Sequence, residues 1–188
     1  MKKKILILAG GFSREREISL KTAKGVFKHI KRKYHVKICE PDGYLIKNLK
    51  LFKPDVVFNA LHGRYGEDGY VQSLLESQKI KYTHSGPLSS SIAIDKEISK
   101  NIFIKNNILT PKYFKFKFNK FIKKSELIKK IKSSLSFPVV IKPFNEGSSV
   151  EVYICSEKNL FRKLNKLSPY KEIMIEKYIP GREIQVAI

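Results

Sequence analysis

Residues 4–20 read KILILAGGFSREREISL, which is an apolar run, two glycines, a charged stretch and then an apolar residue. From Leu20 to Ile30 apolar residues recur at helical spacing, so the predicted order is strand, turn and helix. Such a turn suits an anion, because free backbone N–H groups and the positive end of the helix dipole point at it. A carboxylate or a phosphate could bind here, unless Ser13 is simply a helix cap.

Strands and helices continue to alternate up to residue 87. Strands are predicted at 34–38, 56–61 and 81–83, with a helix near 70–78. The β-rich run at 56–61 suits a strand covered on both faces, as in a parallel sheet. We therefore expect an α/β domain that ends near the Ser-Gly-Pro turn at 85–87, before a stretch of small residues at 88–94.

The second part of the chain mixes helices with an antiparallel pair of strands. Its predicted elements are helices at 95–106, 124–135 and 157–166, and strands at 113–118, 139–142, 150–154, 173–177 and 183–188. The strands at 139–142 and 150–154 are expected to form a hairpin. No closing element follows the last strand, as if the domain were interrupted.

Composition indicates a globular protein. Hydrophobic residues make up 42% of the chain and include 12 Phe, which is enough for a core. No apolar run approaches the roughly 20 residues of a membrane helix, and no signal peptide is recognisable, so a cytoplasmic protein without membrane contact is expected. Cys39 and Cys155 are too few for a disulfide scaffold, and each is predicted to be a buried thiol.

The formal net charge of +21 raises the alternative of a nucleic-acid partner. Only six of the 38 basic residues are Arg, and the lysines are spread along the whole chain without a recognition motif. Solvated lysine-rich faces are therefore the favoured interpretation. A nucleic-acid binder would instead show tight binding that weakens steeply with salt.

The segment HGRYGEDG at 62–69 follows a predicted buried strand and has few apolar anchors. Ordering such a loop costs entropy, which favours a binding role over a mere connection. His62 could polarise a carboxylate or accept a proton, or it could be a structural hydrogen-bonding residue. Glu15, at the carboxyl edge of the same sheet, is placed to hold a substrate ammonium.

Lys142 ends a predicted strand directly before the loop PFNEGSS at 143–149. A fixed ammonium beside backbone donors suits a nucleotide phosphate, although the spacing is not that of a Walker loop. The alternative is a hairpin with an ordinary surface lysine. Downstream, the strand containing Glu176 has a backbone edge that can pair with adenine, and a carboxylate such as Glu183 can hold ribose hydroxyls.

Taken in order, these segments resemble the D-alanine:D-alanine ligases of the ATP-grasp superfamily. The resemblance is carried by GGFSREREISL at 10–20, HGRYGEDG at 62–69, DK at 95–96, FPVVIKP at 137–143, EGSSV at 146–150, IEKYI at 175–179 and GRE at 181–183. It implies a Rossmann-like amino-terminal substrate domain at 1–87, an α+β ATP-grasp small lobe at 88–179, and the truncated start of the large lobe at 180–188.

The resemblance also implies roles for individual residues. Glu15 would orient the first D-alanine through its ammonium, with His62 nearby, and Ser148 would close the phosphate loop in a catalytic role. The residues implied to bind ATP are Lys96 and Lys142 at the phosphates, Glu146, Gly147, Ser148 and Ser149 in the loop, Glu176, Lys177 and Ile179 around adenine, and Glu183 at the ribose.

In the implied reaction ATP phosphorylates one D-alanine carboxylate, and the amine of a second D-alanine displaces the phosphate to give the dipeptide for peptidoglycan synthesis. Mg2+ or Mn2+ would assist, with its carboxylate ligands beyond Ile188, so these 188 residues alone are expected to be inactive. Two residues depart from the usual pattern, because Glu151 and His84 stand where the family usually has glycine. Likeness to the family further suggests a homodimer.

Other functions stay open at this point. Another ATP-grasp carboxylate–amine ligase, or one that makes D-alanyl-D-lactate, would share these motifs. A non-catalytic nucleotide-binding remnant is the alternative from a different class.

Overall fold

The computed structural model describes residues 2–118, 123–147 and 149–184. The chain forms two compact units, Met1–Ser99 and Lys100–Ile188, which meet within a helix. From the sequence the domain boundary was placed after residue 87, and the division into a substrate domain and an ATP-grasp lobe stays a prediction.

The first unit contains a four-stranded parallel sheet in the order β2-β1-β3-β4. Its strands are β1 (Lys4–Leu8), β2 (His35–Cys39), β3 (Val56–Asn59) and β4 (Lys81–Tyr82). Helix α1 (Arg16–Ile30) packs against Ile7 on one face, whereas α2 (Leu45–Phe52) and α3 (Tyr70–Ser77) share a core with Leu6 and Leu8 on the other. The predicted Rossmann-like arrangement, with helices on both faces of a parallel sheet, is confirmed.

Two helices of this unit, α2 and α4 (Pro87–Ile94), were not predicted from the sequence. Helix α2 buries Leu45 and Leu49, a spacing of four residues that the sequence does contain. Helix α4 has Pro87 at its first position, which is typical of a helix start, but its small side chains give little apolar periodicity.

The second unit is built on a four-stranded antiparallel sheet in the order β5-β8-β6-β7. Its strands are β5 (Tyr113–Lys117), β6 (Val139–Lys142), β7 (Tyr153–Cys155) and β8 (Glu172–Lys177); its helices are α6 (Lys124–Ser134) and α7 (Leu160–Lys166), and α5 (Lys96–Lys105) leads into it from the first unit. Leu127, Ile131 and Leu160 of the helices form one core with Ile141 and Ile175 of the sheet. The α+β class and the β6–β7 hairpin are confirmed.

Three predicted boundaries in the second unit were wrong. The strand predicted at 150–154 begins only at Tyr153, because Ser149 and Glu151 have φ angles of 59° and 56° and form a turn. Helix α7 begins at Leu160, since 157–159 are a turn. Residues 183–184 are not in a strand, and 185–188 of the strand predicted there lie outside the described residues.

Both cysteines are buried free thiols, as predicted. Within the described residues, no helix has the length and apolar character that crossing a bilayer requires.

Candidate functional site

The crevice of the first unit lies where the loops after β1 and β3 meet. In the sheet, β2 lies on one side of β1 and β3 lies on the other. The strand order therefore reverses direction between β1 and β3. In open α/β sheets ligands bind at this point, outside the carboxyl ends of the strands. The two loops are in direct contact, because the Ser13 hydroxyl donates a hydrogen bond of 2.7 Å to the His62 carbonyl oxygen.

Glu15 places a buried carboxylate in this crevice. The residue is 4% exposed and precedes α1, and its Oε1 atom has no hydrogen-bond partner among the residues that the structure describes. A buried carboxylate oxygen without a donor is costly, and a bound ammonium would satisfy it. Ser13, considered as a helix cap, instead accepts a 3.2 Å hydrogen bond from the Glu15 backbone N–H.

The loop at 62–69 is held by its own acidic side chains. Glu67 Oε2 accepts a 3.0 Å bond from the Gly63 N–H, and its Oε1 lies 3.6 Å from His62 Nδ1. The other His62 ring nitrogen, Nε2, is 3.4 Å from the Thr22 hydroxyl. These two contacts, one at each ring nitrogen, favour a single orientation of the imidazole.

The Arg16–Glu40 ion pair contacts the turn that precedes Glu15. Arg16 Nη1 and Nη2 donate to the two Glu40 carboxylate oxygens at 2.5 and 2.6 Å, and Nη1 also lies 3.2 Å from the Gly11 carbonyl oxygen. The hydrogen bond from Arg16 lowers the pKa of Glu40 below its usual value of 4.5. A Cβ at Gly10 would lie 2.7 Å from this pair, so the turn and the pair are closely packed.

A cavity of about 250 Å3 opens beside the crevice, within the first unit. Its lining includes His62, Glu67, Gln72, His84 and Ser85. His84 has a φ of +81°, a conformation that glycine adopts freely and other residues rarely do. In this chain the position adds an imidazole to the wall of the cavity.

In the second unit, Lys142 belongs to a buried cluster of three charged groups. Its ammonium contacts Glu176 Oε1, and the other carboxylate oxygen, Oε2, lies 3.0 Å from the ammonium of Lys100. Lys100 and Glu176 are each 6% exposed. The alternative of an ordinary surface lysine at 142 is therefore wrong, because that side chain is only 19% exposed.

This cluster lies on the sheet face opposite α6 and α7. Glu176 pairs with Tyr113 and Val140 across the strands, and side chains of directly paired residues share a face. The other face supplies Ile141 and Ile175 to the core. The charged groups thus occupy the face opposite α6 and α7, where Lys100 of α5 contacts Glu176.

Lys100 was not identified from the sequence. Its ammonium also donates to the Thr110 hydroxyl at 2.7 Å and the Pro111 carbonyl oxygen at 2.8 Å, and it lies 5.2 Å from the centre of the Tyr113 ring. It is a helical lysine four residues after Lys96, so the sequence pattern resembles a solvated helix face. No local signal distinguishes it from the other lysines.

Tyrosine hydroxyls contact Glu146 in the predicted phosphate loop and Glu151 just after it. Tyr170 donates to Glu146 Oε1 at 3.3 Å, and the Tyr153 hydroxyl contacts the Glu151 carboxylate, which raises the pKa of Tyr153. Within the loop, the Gly147 carbonyl oxygen accepts a 2.9 Å bond from the Val150 N–H. Ser148, predicted to be catalytic, lies outside the described residues, and its neighbour Ser149 is exposed.

The other residues predicted to bind ATP are Lys96, Lys177, Ile179 and Glu183. Lys96 begins α5 in the first unit, after Asp95, whose Oδ1 accepts bonds from two backbone N–H groups of the helix. Lys177 is exposed, and its backbone N–H donates a 2.9 Å hydrogen bond to the Lys112 carbonyl oxygen. Ile179 and Glu183 are also exposed. Their ATP contacts stay predictions.

Within 2–118, 123–147 and 149–184, no three His, Cys, Asp or Glu side chains lie close enough together to hold a metal ion. The described residues therefore supply no such group of ligands for Mg2+.

Comparison with known proteins gives a consistent result along the chain. Residues 41–85 match the family described as D-ala D-ala ligase N-terminus, and residues 102–188 match the family described as D-ala D-ala ligase C-terminus. The two matched ranges contain the segments at 62–69, 137–143, 146–150, 175–179 and 181–183, whereas the segments at 10–20 and 95–96 lie outside them.

Relatives and solved structures agree with these matches. The D-alanine–D-alanine ligase of Pelagibacter ubique strain HTCC1062 is 63% identical over 100% of this chain and 62% of its own length; that of Rickettsia bellii strain OSU 85-389 is 45% identical over 100% and 56%. The crystal structure of the Bacillus anthracis ligase has a TM-score of 0.80 at 36% identity, covering 95% of this chain and 58% of its own. The same ligase complexed with ATP has a TM-score of 0.78 at 34% identity, covering 95% and 60%. The chain thus spans less than two thirds of the length of these relatives.

Proposed function

Because the chain belongs to the D-alanine–D-alanine ligase family, we propose that it supplies the first-substrate site and part of the ATP site of an ADP-forming ligase that joins two D-alanines. The observation that carries this proposal is the buried Glu15 carboxylate, whose Oε1 lacks a partner among the described residues at the point where two loops meet. An amino acid ammonium is the cation that fits such an oxygen at this edge of the sheet.

The first D-alanine would lie between Glu15 and His62. Its ammonium would bind Glu15, and its carboxylate would approach the imidazole, for which contacts with Thr22 and Glu67 favour a single orientation. This arrangement fixes the substrate for attack on the phosphate, and fixed geometry contributes strongly to rate.

ATP would bind on the side of the second sheet opposite α6 and α7, with its phosphates at Lys142 and the loop at 146–149. The support is that Lys142 is mostly buried, lies on this side and directly precedes a loop whose Glu146 contacts the Tyr170 hydroxyl. Charge accumulates on phosphate oxygens during transfer, and a fixed ammonium with backbone N–H donors stabilises it.

Chemically, ATP would transfer its γ-phosphate to one D-alanine carboxylate, releasing ADP, and the amine of the second would displace phosphate to form the peptide bond. Mg2+ or Mn2+ would accompany ATP, although the described residues offer no carboxylate cluster for it. We therefore expect no ligation by these 188 residues alone. In a cell the reaction would serve peptidoglycan synthesis in the cytoplasm.

Two other functions remain to be separated from this one by experiment. A ligase for a related carboxylate–amine or carboxylate–hydroxyl pair would bind other second substrates. A nucleotide-binding remnant would bind ATP and lack a D-alanine site.

The test is calorimetric titration of the chain with D-alanine and, separately, with ATP. We expect Glu15→Gln to abolish D-alanine binding and leave ATP binding intact, because only the carboxylate charge that meets the ammonium is removed. Lys142→Ala should do the reverse. Glu17→Gln is the matched control, since Glu17 is an exposed acid of the first turn of α1.

If a folded wild-type chain binds ATP and not D-alanine, the proposed substrate site is refuted and the remnant function is favoured. If Glu17→Gln weakens D-alanine binding as much as Glu15→Gln does, the effect is general electrostatics and the role of Glu15 is refuted.

A further inference from the structure

The Lys100–Glu176–Lys142 cluster contains two ammonium groups and one carboxylate, and so has a surplus of one positive charge. A single carboxylate lies between two ammonium groups, one on each of its oxygens. Burying an ion usually requires a partner, and a surplus cation in a buried cluster is costly unless an anion completes it. The cluster is therefore arranged to receive a negative charge.

The two lysines of the cluster are not equivalent. Lys100 is 6% exposed, and besides Glu176 it has the Thr110 hydroxyl, the Pro111 carbonyl oxygen and the Tyr113 ring as partners. Lys142 is 19% exposed and stands at the end of β6, next to the loop at 143–149. Lys100 is thus fixed, whereas Lys142 is the group that can turn towards a ligand.

Turning Lys142 towards a phosphate would leave Glu176 with only its second cation. Without that cation, Glu176 would be a buried and uncompensated carboxylate close to the bound phosphates, which would repel it. With Lys100 in place, Glu176 stays neutralised while Lys142 binds the nucleotide.

We propose that Lys100 is a positioning residue for nucleotide binding, which keeps Glu176 neutralised and so frees Lys142 to bind ATP phosphates. The inference rests on the proposed ATP site, and it adds a residue that need not touch ATP. Lys100 acts through Glu176, and its effect depends on the charge of that carboxylate.

This dependence on charge distinguishes positioning from a merely structural role. In Lys100→Met, Glu176 and Lys142 cancel one another, and the cluster is neutral. In Lys100→Met/Glu176→Gln, the charge of Lys142 is again unopposed. If Lys100 has a merely structural role, adding Glu176→Gln should weaken ATP binding further. If Lys100 is a positioning residue, adding Glu176→Gln should restore phosphate binding.

The experiment measures dissociation constants of ATP and of adenosine for the wild-type chain and each variant, with thermal melting as the check of folding. Lys100→Met should weaken ATP binding about tenfold or more, which corresponds to about 1.4 kcal/mol, and leave adenosine binding within about twofold. Lys100→Met/Glu176→Gln should regain most of the lost ATP affinity when it is compared with the adenosine affinity of the same variant, because Glu176 is also predicted to lie at adenine. Lys100→Arg should retain the ATP affinity of the wild type. Lys117→Met is the matched control, since it removes a lysine of β5 that pairs with Glu172 instead.

Each outcome decides a different question. A wild-type chain that fails to bind ATP refutes the proposed ATP site and this inference together. If the wild type binds ATP and Lys100→Met binds it equally well, or if the double variant is weaker still, only the role of Lys100 is refuted. If Lys100→Met does not fold, Lys100→Arg and the double variant decide between the two roles.

Discussion

Gly63→Ala should damage both the stability of the first unit and its D-alanine site. Gly63 has a φ of +66°, and a Cβ built there would lie 2.7 Å from Glu15 Oε2 and 3.5 Å from the Ser13 Cβ. The left-handed conformation costs a non-glycine residue about 1–2 kcal/mol. The distance from this Cβ to Glu15 Oε2 is shorter than an ordinary van der Waals contact, so the buried carboxylate must shift.

We expect Gly63→Ala to lower the free energy of unfolding by about 1–2 kcal/mol, measured by urea denaturation. A shift of the Glu15 carboxylate approaching 1 Å should weaken D-alanine binding by about 10- to 100-fold, measured by calorimetry. ATP binding should be unchanged, because its proposed residues near Lys142 lie in the other unit.

Gly25→Ala is the matched control for this substitution. Gly25 lies within α1, and a Cβ there meets nothing within 4 Å. The control should raise stability by about 0.5–1 kcal/mol, because alanine favours a helix over glycine. If Gly63→Ala is as stable as Gly25→Ala, the packing of Glu15 against Gly63 is incorrect; if it is destabilised yet binds D-alanine normally, Glu15 does not hold the ammonium.

Three further predictions concern other parts of the chain. Burial raises the pKa of both thiols, that of Cys155 to about 11, so neither Cys39 nor Cys155 should react with a thiol reagent near pH 8 until urea unfolds the chain; fast reaction of the native protein would contradict this. Because the Arg16 hydrogen bond lowers the Glu40 pKa, that pair stabilises the fold above pH 4.5 and stops doing so as pH falls through the lowered pKa. Glu40→Gln should therefore cost less than about 1 kcal/mol near pH 7, since the pair is partly exposed, and the difference in urea midpoint should shrink as pH falls below 4.5; a constant difference would argue against the ion pair. At His84, Gly should be more stable than Ala by about 1 kcal/mol in thermal or urea unfolding, because both variants lose the imidazole and only glycine adopts a φ of +81° freely; equal stabilities would refute strain there.

The sequence predicted the fold wherever the physical signal is local. Alternation and helical spacing located most strands and helices, because burying one face imposes a period that a single chain displays. Helix α4 was missed because serine and alanine side chains provide little such contrast. The predicted start of β7 is wrong because a left-handed turn at Ser149 and Glu151 precedes the strand, and neither residue type predicts a positive φ.

The candidate sites were predictable only in part, for a related reason. Glu15 and His62 could be found because each lies in a glycine-containing loop that follows a strand, where ligand-binding residues are concentrated in this class of fold. The sequence could not show that Glu15 is buried with one oxygen unpaired among the described residues, since that follows from the meeting of two loops 49 residues apart, joined through Ser13 and His62.

Lys100 illustrates the limit most clearly. Most of the 38 basic residues in the chain are lysines, and a lysine in a helix is usually solvated. Only the tertiary structure places this one against Glu176 of a distant strand and removes it from water. Because Glu176 is buried, its carboxylate must keep one cation as a partner. The second cation of the cluster is then available to bind a phosphate. A net charge of +21 spread over a surface says little about partners, whereas a single surplus charge in a buried cluster specifies the sign of the ligand that completes it.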